Sequence, residues 1–243
     1  MSYGRRKKKR APEPRPSAVG GVVTAIRPVR GKPDLAWVSV DGRRAGRAST
    51  ATLEALGVRV GVAWTAAMEG AVRAEELRSA AKSYALKALA ARPLSTRMLA
   101  DRITARGYPP ETAAAVVEDL TRVGLLDDAA FARAYVSSQL SRKAAGRVLL
   151  LSALRKKKVD DATARAAVDE ALGGTDLVKD AANLAARRLR AMRPDLEPDV
   201  KRRRLFGMLA RRGFDVDTCR EAVDRVMKAA GYGRRGVRGI EEE

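Results

Sequence analysis

The sequence has no histidine and a single cysteine, Cys219, among its 243 residues. A histidine general base, a His/Cys zinc site, a CxxC redox pair and an intrachain disulfide are therefore excluded. Aromatic residues make up only 4% of the chain, and no apolar run is long enough for a signal peptide or a membrane span. These absences argue against most classes of enzyme, and they predict a cytoplasmic protein without a cofactor or a membrane partner.

Positive charge is what the sequence has in excess. Lysine and arginine number 49 against 29 acidic residues, which gives a net charge of +20 at pH 7. A hydrophobic content of 46% is ample for a packed core. A globular chain with this excess is expected to bind a polyanion, either nucleic acid or a protein that coats it.

The N-terminal residues 1–16 are predicted to form a disordered basic arm, because seven basic residues and three prolines stand against one acid. Charge runs are weakly diagnostic, so a solubilising tail is as good an interpretation as a nucleic-acid contact. The candidate nucleic-acid residues of the arm are Arg5, Arg6, Lys7, Lys8, Lys9 and Arg10.

Residues 17–78 are predicted to form a small β-hairpin element with a short helix. Val22–Ile26 and Trp37–Val40 are β-branched segments, and the second ends in the turn dipeptide Asp41-Gly42. Ser49 or Thr50 is the expected N-cap of the helix. We interpret Trp37 and Trp64 as core or packing residues rather than as stacking platforms for bases, because this element contains little other bulk.

The rest of the chain repeats. Ile103–Tyr108, Leu154–Val159 and Leu209–Phe214 are similar segments 51 and 55 residues apart, and apolar residues around them follow helical spacing. Each repeat is predicted to hold three helices, at residues 79–126, 127–174 and 175–230, with a flexible tail at 231–243. The third repeat is expected to carry four extra residues between its first two helices.

Every predicted structural segment carries a net positive charge, which indicates an extended basic surface along the repeats. Two clusters are conspicuous, one where a second-repeat helix ends and one where a third-repeat helix begins. Cations are unfavourable at a helix start, so the second cluster predicts a compensating partner. The candidate partner-contact residues are Arg142, Lys143, Arg147, Arg155, Lys156, Lys157, Lys158, Lys201, Arg202, Arg203, Arg204, Arg211 and Arg212.

The acidic pairs Asp127-Asp128 and Asp160-Asp161 could suggest a metal site or an acid/base pair. Both pairs precede predicted helices, where carboxylates cap free N–H groups. Capping is the preferred interpretation. No phosphate-binding loop or nucleophile motif is present, so no catalytic residue is predicted.

The first two repeats resemble the RecX family. The resemblance lies in Arg92-Pro93-Leu94-Ser95, Arg106-Gly107-Tyr108 and Gly124-Leu125-Leu126-Asp127-Asp128 with Phe131 and Tyr135. It continues through Gly146, Leu150, Leu154 and Val159, although Lys158 stands where the family has glycine. Phe131 and Tyr135 are spaced i, i+4 on an apolar helix face and are expected to pack rather than to bind.

The resemblance implies a mainly α fold of three tandem three-helix repeats in an elongated, curved array. It also implies a non-enzymatic regulator that binds the filament of the RecA recombinase on DNA and inhibits strand exchange, ATP hydrolysis and co-protease activity. The expected partners are RecA and DNA, the latter without sequence preference, and the expected state is a monomer.

Two alternatives remain at this point. A stand-alone DNA-binding protein, such as a transcriptional repressor, also has three-helix units and a basic arm. Its recognition helix would carry base-reading side chains, whereas the third helices here contain Ala113-Ala114-Ala115 and Ala164-Arg165-Ala166. A nuclease would require clustered carboxylates away from helix starts, and the sequence offers none.

Overall fold

The computed structural model describes residues 15–232, and its contacts divide the chain into two compact units, residues 1–126 and 127–243. The predicted arm at 1–16 and tail at 231–243 lie almost entirely outside the described residues. The first unit begins with a three-stranded antiparallel sheet in the order β1-β2-β3. The strands are β1 (Val23–Val29), β2 (Lys32–Val40) and β3 (Arg43–Ser49).

The hairpin β1-β2 was predicted, but β3 was missed because its inward residues are small rather than apolar and bulky. Gly46 and Ala48 face the core, and a β-carbon at Gly46 would lie 2.5 Å from Cγ1 of Val72. The following long helix can therefore pack tightly against β3. The free backbone N–H of Ser49 donates to the carboxylate of Glu75 on that helix at 2.6 Å, which protects the edge of the sheet.

Four helices complete the first unit, namely α1 (Thr50–Ala55), α2 (Ala66–Ala91), α3 (Thr96–Thr104) and α4 (Pro110–Arg122). Helix α2 runs without a break across residue 79, where the sequence placed the start of the first repeat. Its N-terminal half packs against the sheet and its C-terminal half packs against α3 and α4. Arg78 of α2 donates to the carboxylate of Asp119 on α4 at 2.6 Å and, with burial opposing it, holds the pKa of Asp119 below its ordinary value.

The second unit contains the helices α5 (Asp128–Arg142), α6 (Arg147–Lys156), α7 (Asp161–Leu172), α8 (Leu177–Arg190), α9 (Pro198–Arg211) and α10 (Val216–Ala229). Helices α5 to α7 surround one apolar core and α8 to α10 surround another, as the helical spacing predicted. Cys219 is fully buried in the second core, and burial raises the pKa of its thiol. Among residues 15–232, no helix is both long and apolar enough to cross a bilayer.

Aspartate begins four of the helices in the second unit. The side chains of Asp127, Asp160, Asp176 and Asp215 each accept a hydrogen bond from the backbone N–H three residues later, at 2.8 to 2.9 Å. The capping interpretation of the two acidic pairs is therefore confirmed. Hydrogen bonds from Thr163 hold the pKa of Asp160 below its ordinary value, so this carboxylate is ionised and occupied as a cap.

The first helix of the third repeat is displaced from the expected register. Its N-cap Asp176 corresponds to Asp127, and its buried Ala181 and Ala185 correspond to Ala132 and Val136, all 49 residues later. The second and third helices keep an offset of 55 residues. The third repeat therefore has six extra residues between these two registers. The loop itself, residues 191–197, is three residues longer than its counterpart at 143–146, and α9 begins earlier than α6, so the prediction of four extra loop residues was wrong.

The second helix of each repeat ends in the same way. Gly107, Lys158 and Gly213 have φ values of 95°, 58° and 81°, and the next residue donates its N–H to the carbonyl five residues before it. That next residue, Tyr108, Val159 or Phe214, is buried. This is the Schellman arrangement, in which the residue after the helix adopts the left-handed conformation and is therefore usually glycine. Lys158 leaves the helix end unchanged but adopts a strained backbone conformation.

Replacing Lys158 with glycine is expected to stabilise the protein by ~0.5–1 kcal/mol, because a left-handed lysine costs ~1–2 kcal/mol and the flexibility of unfolded glycine offsets part of that gain. The measurement is the free energy of unfolding in a denaturant titration. Lys158→Ala is the control, since it removes the charge but keeps the β-carbon. If alanine stabilises as much as glycine, charge repulsion rather than backbone strain is the source.

Candidate functional site: an arginine groove between α8 and α9

A groove of about 890 Å³ runs between α8 and α9 in the second unit. Its apolar lining comes from Leu184, Ala191, Gly207 and Met208. Six arginines line the rest of it: Arg187 and Arg188 from α8, and Arg203, Arg204, Arg211 and Arg212 from α9 and its C-cap. No acidic residue contributes to the lining.

The six guanidinium groups have no carboxylate partner among the residues that the structure describes. Within the part of the chain that the structure describes, none of them lies within 4.0 Å of an Asp or Glu oxygen. Other arginines of this unit do pair with a carboxylate, as Arg193 does with Asp195 at 2.7 Å. Six unpaired cations repel one another, so a polyanion that entered the groove would remove that repulsion as well as form new contacts.

The groove depends on a change in the third repeat. In the first two repeats, a cation after the second helix lies over a tyrosine of the first helix: Arg106 over Tyr84 at 4.7 Å, and Lys157 over Tyr135 at 5.5 Å. The corresponding positions in the third repeat are Arg212 and Leu184. Because leucine has no ring to stack on, Arg212 is left free to line the groove.

The other arginine positions also distinguish the third repeat. In register with the six arginines, the second repeat has only two basic residues. Its residues at these positions are Ser138, Gln139, Val148, Leu149, Lys156 and Lys157. The concentration of positive charge therefore belongs to the third repeat and does not follow from the repeat architecture.

Four candidate contact residues come together here, namely Arg203, Arg204, Arg211 and Arg212. Sequence reasoning missed Arg187 and Arg188, because cations in the last turn of a helix are explained by the helix dipole. The loop after them could have indicated their role, because it returns the chain so that α9 lies beside α8. Six arginines of the third repeat therefore lie together in this groove.

Lys201 was predicted as a contact residue, and this prediction is wrong. Its side chain is buried, with 2% of the residue exposed. The ammonium group donates to the carbonyl of Pro194 at 2.8 Å and to the hydroxyl of Tyr232 at 2.9 Å. The compensation expected for a cation at this helix start therefore comes from within the chain.

Arg147 and Arg202 occupy equivalent positions and make equivalent contacts. Arg147 at the start of α6 forms an ion pair with Asp169 of α7, and Arg202 of α9 forms one with Asp224 of α10. These ion pairs join the second and third helices of their repeats. A structural contact of this kind explains both arginines without an external partner.

The remaining candidates are spread over the surface of the second repeat. Arg155 pairs with Asp161 at 3.3 Å, and Lys157 covers Tyr135. Lys156 and Lys158 are exposed beside them. Arg142 and Lys143 are exposed at the end of α5, where cations favour the helix dipole. The arm residues Arg5 to Arg10 lie outside the described residues.

Carboxylates form no cluster that would suit a metal. Within residues 15–232, no group of three or more His, Cys, Asp or Glu side chains is arranged to hold an ion. The groove itself contributes only cations and apolar surface. Its chemistry is that of binding an anion.

Three family models match the helical repeats. The model described as RecX, first three-helix domain, matches residues 81–120; the second matches 127–168 and the third 176–223. "Regulatory protein RecX" of Thermobifida fusca is 36% identical over 162 residues, which cover 67% of this chain and 86% of that protein. The protein of the same name from Mycolicibacterium smegmatis is 38% identical over 149 residues, covering 59% and 77% respectively.

Two solved structures share the fold. A crystal structure of regulatory protein RecX covers 86% of this chain and 99% of its own, with a TM-score of 0.66 at 18% identity. The crystal structure of RecX from Lactobacillus salivarius covers 61% of this chain and 96% of its own, with a TM-score of 0.52 at 19% identity. The mainly helical fold expected from the sequence is confirmed.

Proposed function

Because this chain belongs to the RecX family, we propose that it is a regulator that binds the RecA–DNA filament and inhibits strand exchange, ATP hydrolysis and co-protease activity. It acts by binding and catalyses no reaction. The single observation that supports this most directly is the arginine groove between α8 and α9, with six unpaired guanidinium groups and an apolar floor.

The groove suits a phosphodiester backbone or an acidic protein surface held along it. Guanidinium groups bind phosphate and carboxylate oxygens through paired hydrogen bonds, which a set of lysines cannot do with the same geometry. The filament offers both kinds of oxygen in a regular array. The apolar floor of Leu184, Ala191 and Met208 can bury the less polar part of the same ligand.

The test is the rate of DNA-dependent ATP hydrolysis by RecA with increasing amounts of this protein. We expect the rate to fall at fewer than one molecule per RecA subunit, with shorter filaments in electron micrographs. An unchanged rate and unchanged filaments at saturating protein would contradict the proposal. A nuclease or ATPase activity that follows the protein through purification would contradict its non-catalytic part.

The alternative is a stand-alone DNA-binding protein that acts as a repressor. It predicts tight binding to one duplex sequence and no dependence on RecA. Competition between specific and random duplexes separates the two, because phosphate contacts alone give the same affinity for every sequence.

A further inference from the structure

The face of the sheet opposite the core carries an aromatic ring among arginines. Ala36, Val38 and Val40 of β2 point into the core, so Trp37 between them lies on the other face, half-buried. Trp37 therefore lies outside the core, whereas Trp64 is 1% exposed and belongs to the core, as predicted.

Strands β1 and β3 and the segment before β1 supply arginines near this ring. Arg27 of β1 and Arg47 of β3 are the cross-strand neighbours of Trp37. The guanidinium carbons of Arg44, Arg47 and Arg15 lie 4.7, 5.4 and 5.9 Å from the indole centroid. None of the strand residues that alternate onto this face is acidic.

These arginines differ in how firmly they are held. Arg15 makes two hydrogen bonds to Glu76 of α2, at 2.7 and 3.0 Å, and Arg47 lies 3.7 Å from the same carboxylate. Arg44 and Arg27 are exposed and have no carboxylate partner among residues 15–232. Among residues 15–232, the face therefore combines an aromatic ring with two exposed cations that no carboxylate holds.

We propose that this face, centred on Trp37, binds single-stranded nucleic acid: an unpaired base stacks on the indole while Arg44 and Arg27 contact the flanking phosphates. An arginine on a half-buried ring that water still reaches is held only weakly, and a stacked base is held more strongly. Arg44 can therefore leave the ring for a phosphate as a base takes its place. A duplex offers phosphates but no free base face, so it satisfies only half of the site.

The site shares no residue with the arginine groove and precedes the matched family domains, which begin at residue 81. Its occupation does not depend on RecA. Failure of this inference would leave the proposed inhibition of RecA standing, and the reverse is also true.

The experiment uses the full-length protein and its two tryptophans as reporters. In Trp64→Phe, Trp37 is the only tryptophan, and adding an oligothymidylate of about 15 nucleotides should quench its emission to a plateau. A duplex with the same number of phosphates should leave most of the emission. In Trp37→Phe, emission from buried Trp64 should not respond to either ligand.

Affinity for a dye-labelled oligothymidylate gives a second readout, with circular dichroism to show that each variant is folded. Trp37→Ala should bind about tenfold more weakly. Arg44→Ala should also bind more weakly, with a log–log salt slope lower by about 0.7 because one phosphate is no longer neutralised. Arg43→Ala is the matched control, because Arg43 pairs with Val40 in the register and belongs to the opposite face.

Equal quenching by duplex and single strand would overturn stacking, since it would reduce the face to a nonspecific cationic surface. So would full affinity in folded Trp37→Ala and Arg44→Ala. Quenching by poly-glutamate to the same plateau would show that the face takes acidic protein instead of nucleic acid, and this too would overturn the proposal.

Discussion

Inhibition of RecA is expected to be lost when Arg188, Arg204 and Arg211 are replaced together by glutamate. Hydrogen bonds to charged groups contribute ~1.5–3 kcal/mol each, so even with strong non-additivity the affinity for the filament should fall at least about a hundredfold. Thermal stability should change little, because surface substitutions stay within about 0.5 kcal/mol and these three relieve like-charge repulsion. The measurement is the protein concentration that halves the RecA ATPase rate.

A matched control has the same change in net charge at other exposed positions of the second unit. Arg133, Arg165 and Lys179 are exposed and lie outside the groove. Their replacement by glutamate should weaken inhibition only through the overall charge, an effect that high salt removes. Full inhibition by the groove variant together with no inhibition by the control would place the contact on a different face.

The repeat fold could be predicted from the sequence because local rules determine it. Helical spacing, aspartate at helix starts and a left-handed residue at helix ends all act within a few residues of one another. Asp127 and Asp160 cap the helices that follow them, as predicted. Where a local rule is broken, at Lys158, the backbone still adopts the left-handed conformation of Gly107 and Gly213, and Val159 after it is buried as Tyr108 and Phe214 are.

The groove could not be predicted because it depends on which helix faces which. Arg187 and Arg203 lie on consecutive helices, α8 and α9, and come together only because the loop after α8 returns the chain. A run of basic residues in a sequence also does not show which of them are buried, which are paired and which line a groove. Lys201 and Arg202 stand next to Arg203, yet the first is buried against Tyr232 and the second is paired with Asp224.

Strand β3 and the position of Trp37 were missed for a different physical reason. Inward Gly46 and Ala48 give no apolar alternation, because close packing of Val72 selects small residues there. Because β3 was not predicted, the strand pairing that places Arg44 and Arg47 beside Trp37 could not be predicted either. Register determines which face each residue of a strand occupies, so a missing neighbour strand hides a whole surface.

A close backbone approach joins the second and third repeats, and it explains a glycine of the family pattern. Gly146, the N-cap of α6, donates its N–H to the carbonyl of Arg212 at 2.9 Å, and Val148 donates to the carbonyl of Gly213 at 3.1 Å. These bonds satisfy free N–H groups at the start of α6. A β-carbon at Gly146 would lie 2.2 Å from the carbonyl oxygen of Gly213. Because that oxygen belongs to the backbone, no movement of a side chain could relieve the clash.

Gly146→Ala is therefore expected to destabilise the protein by ~3 kcal/mol, from overpacking against backbone atoms and disruption of two hydrogen bonds. Gly70→Ala is the control with the opposite sign: Gly70 lies within α2 with nothing near its missing β-carbon, and alanine there should stabilise by ~0.5–1 kcal/mol. Denaturant titrations of both variants give the comparison.

Because Arg211 and Arg212 lie on the displaced segment, inhibition of RecA by Gly146→Ala should weaken even below its unfolding temperature. If Gly146→Ala is as stable as the wild type, the two repeats do not rely on this contact, and the glycine requires another explanation.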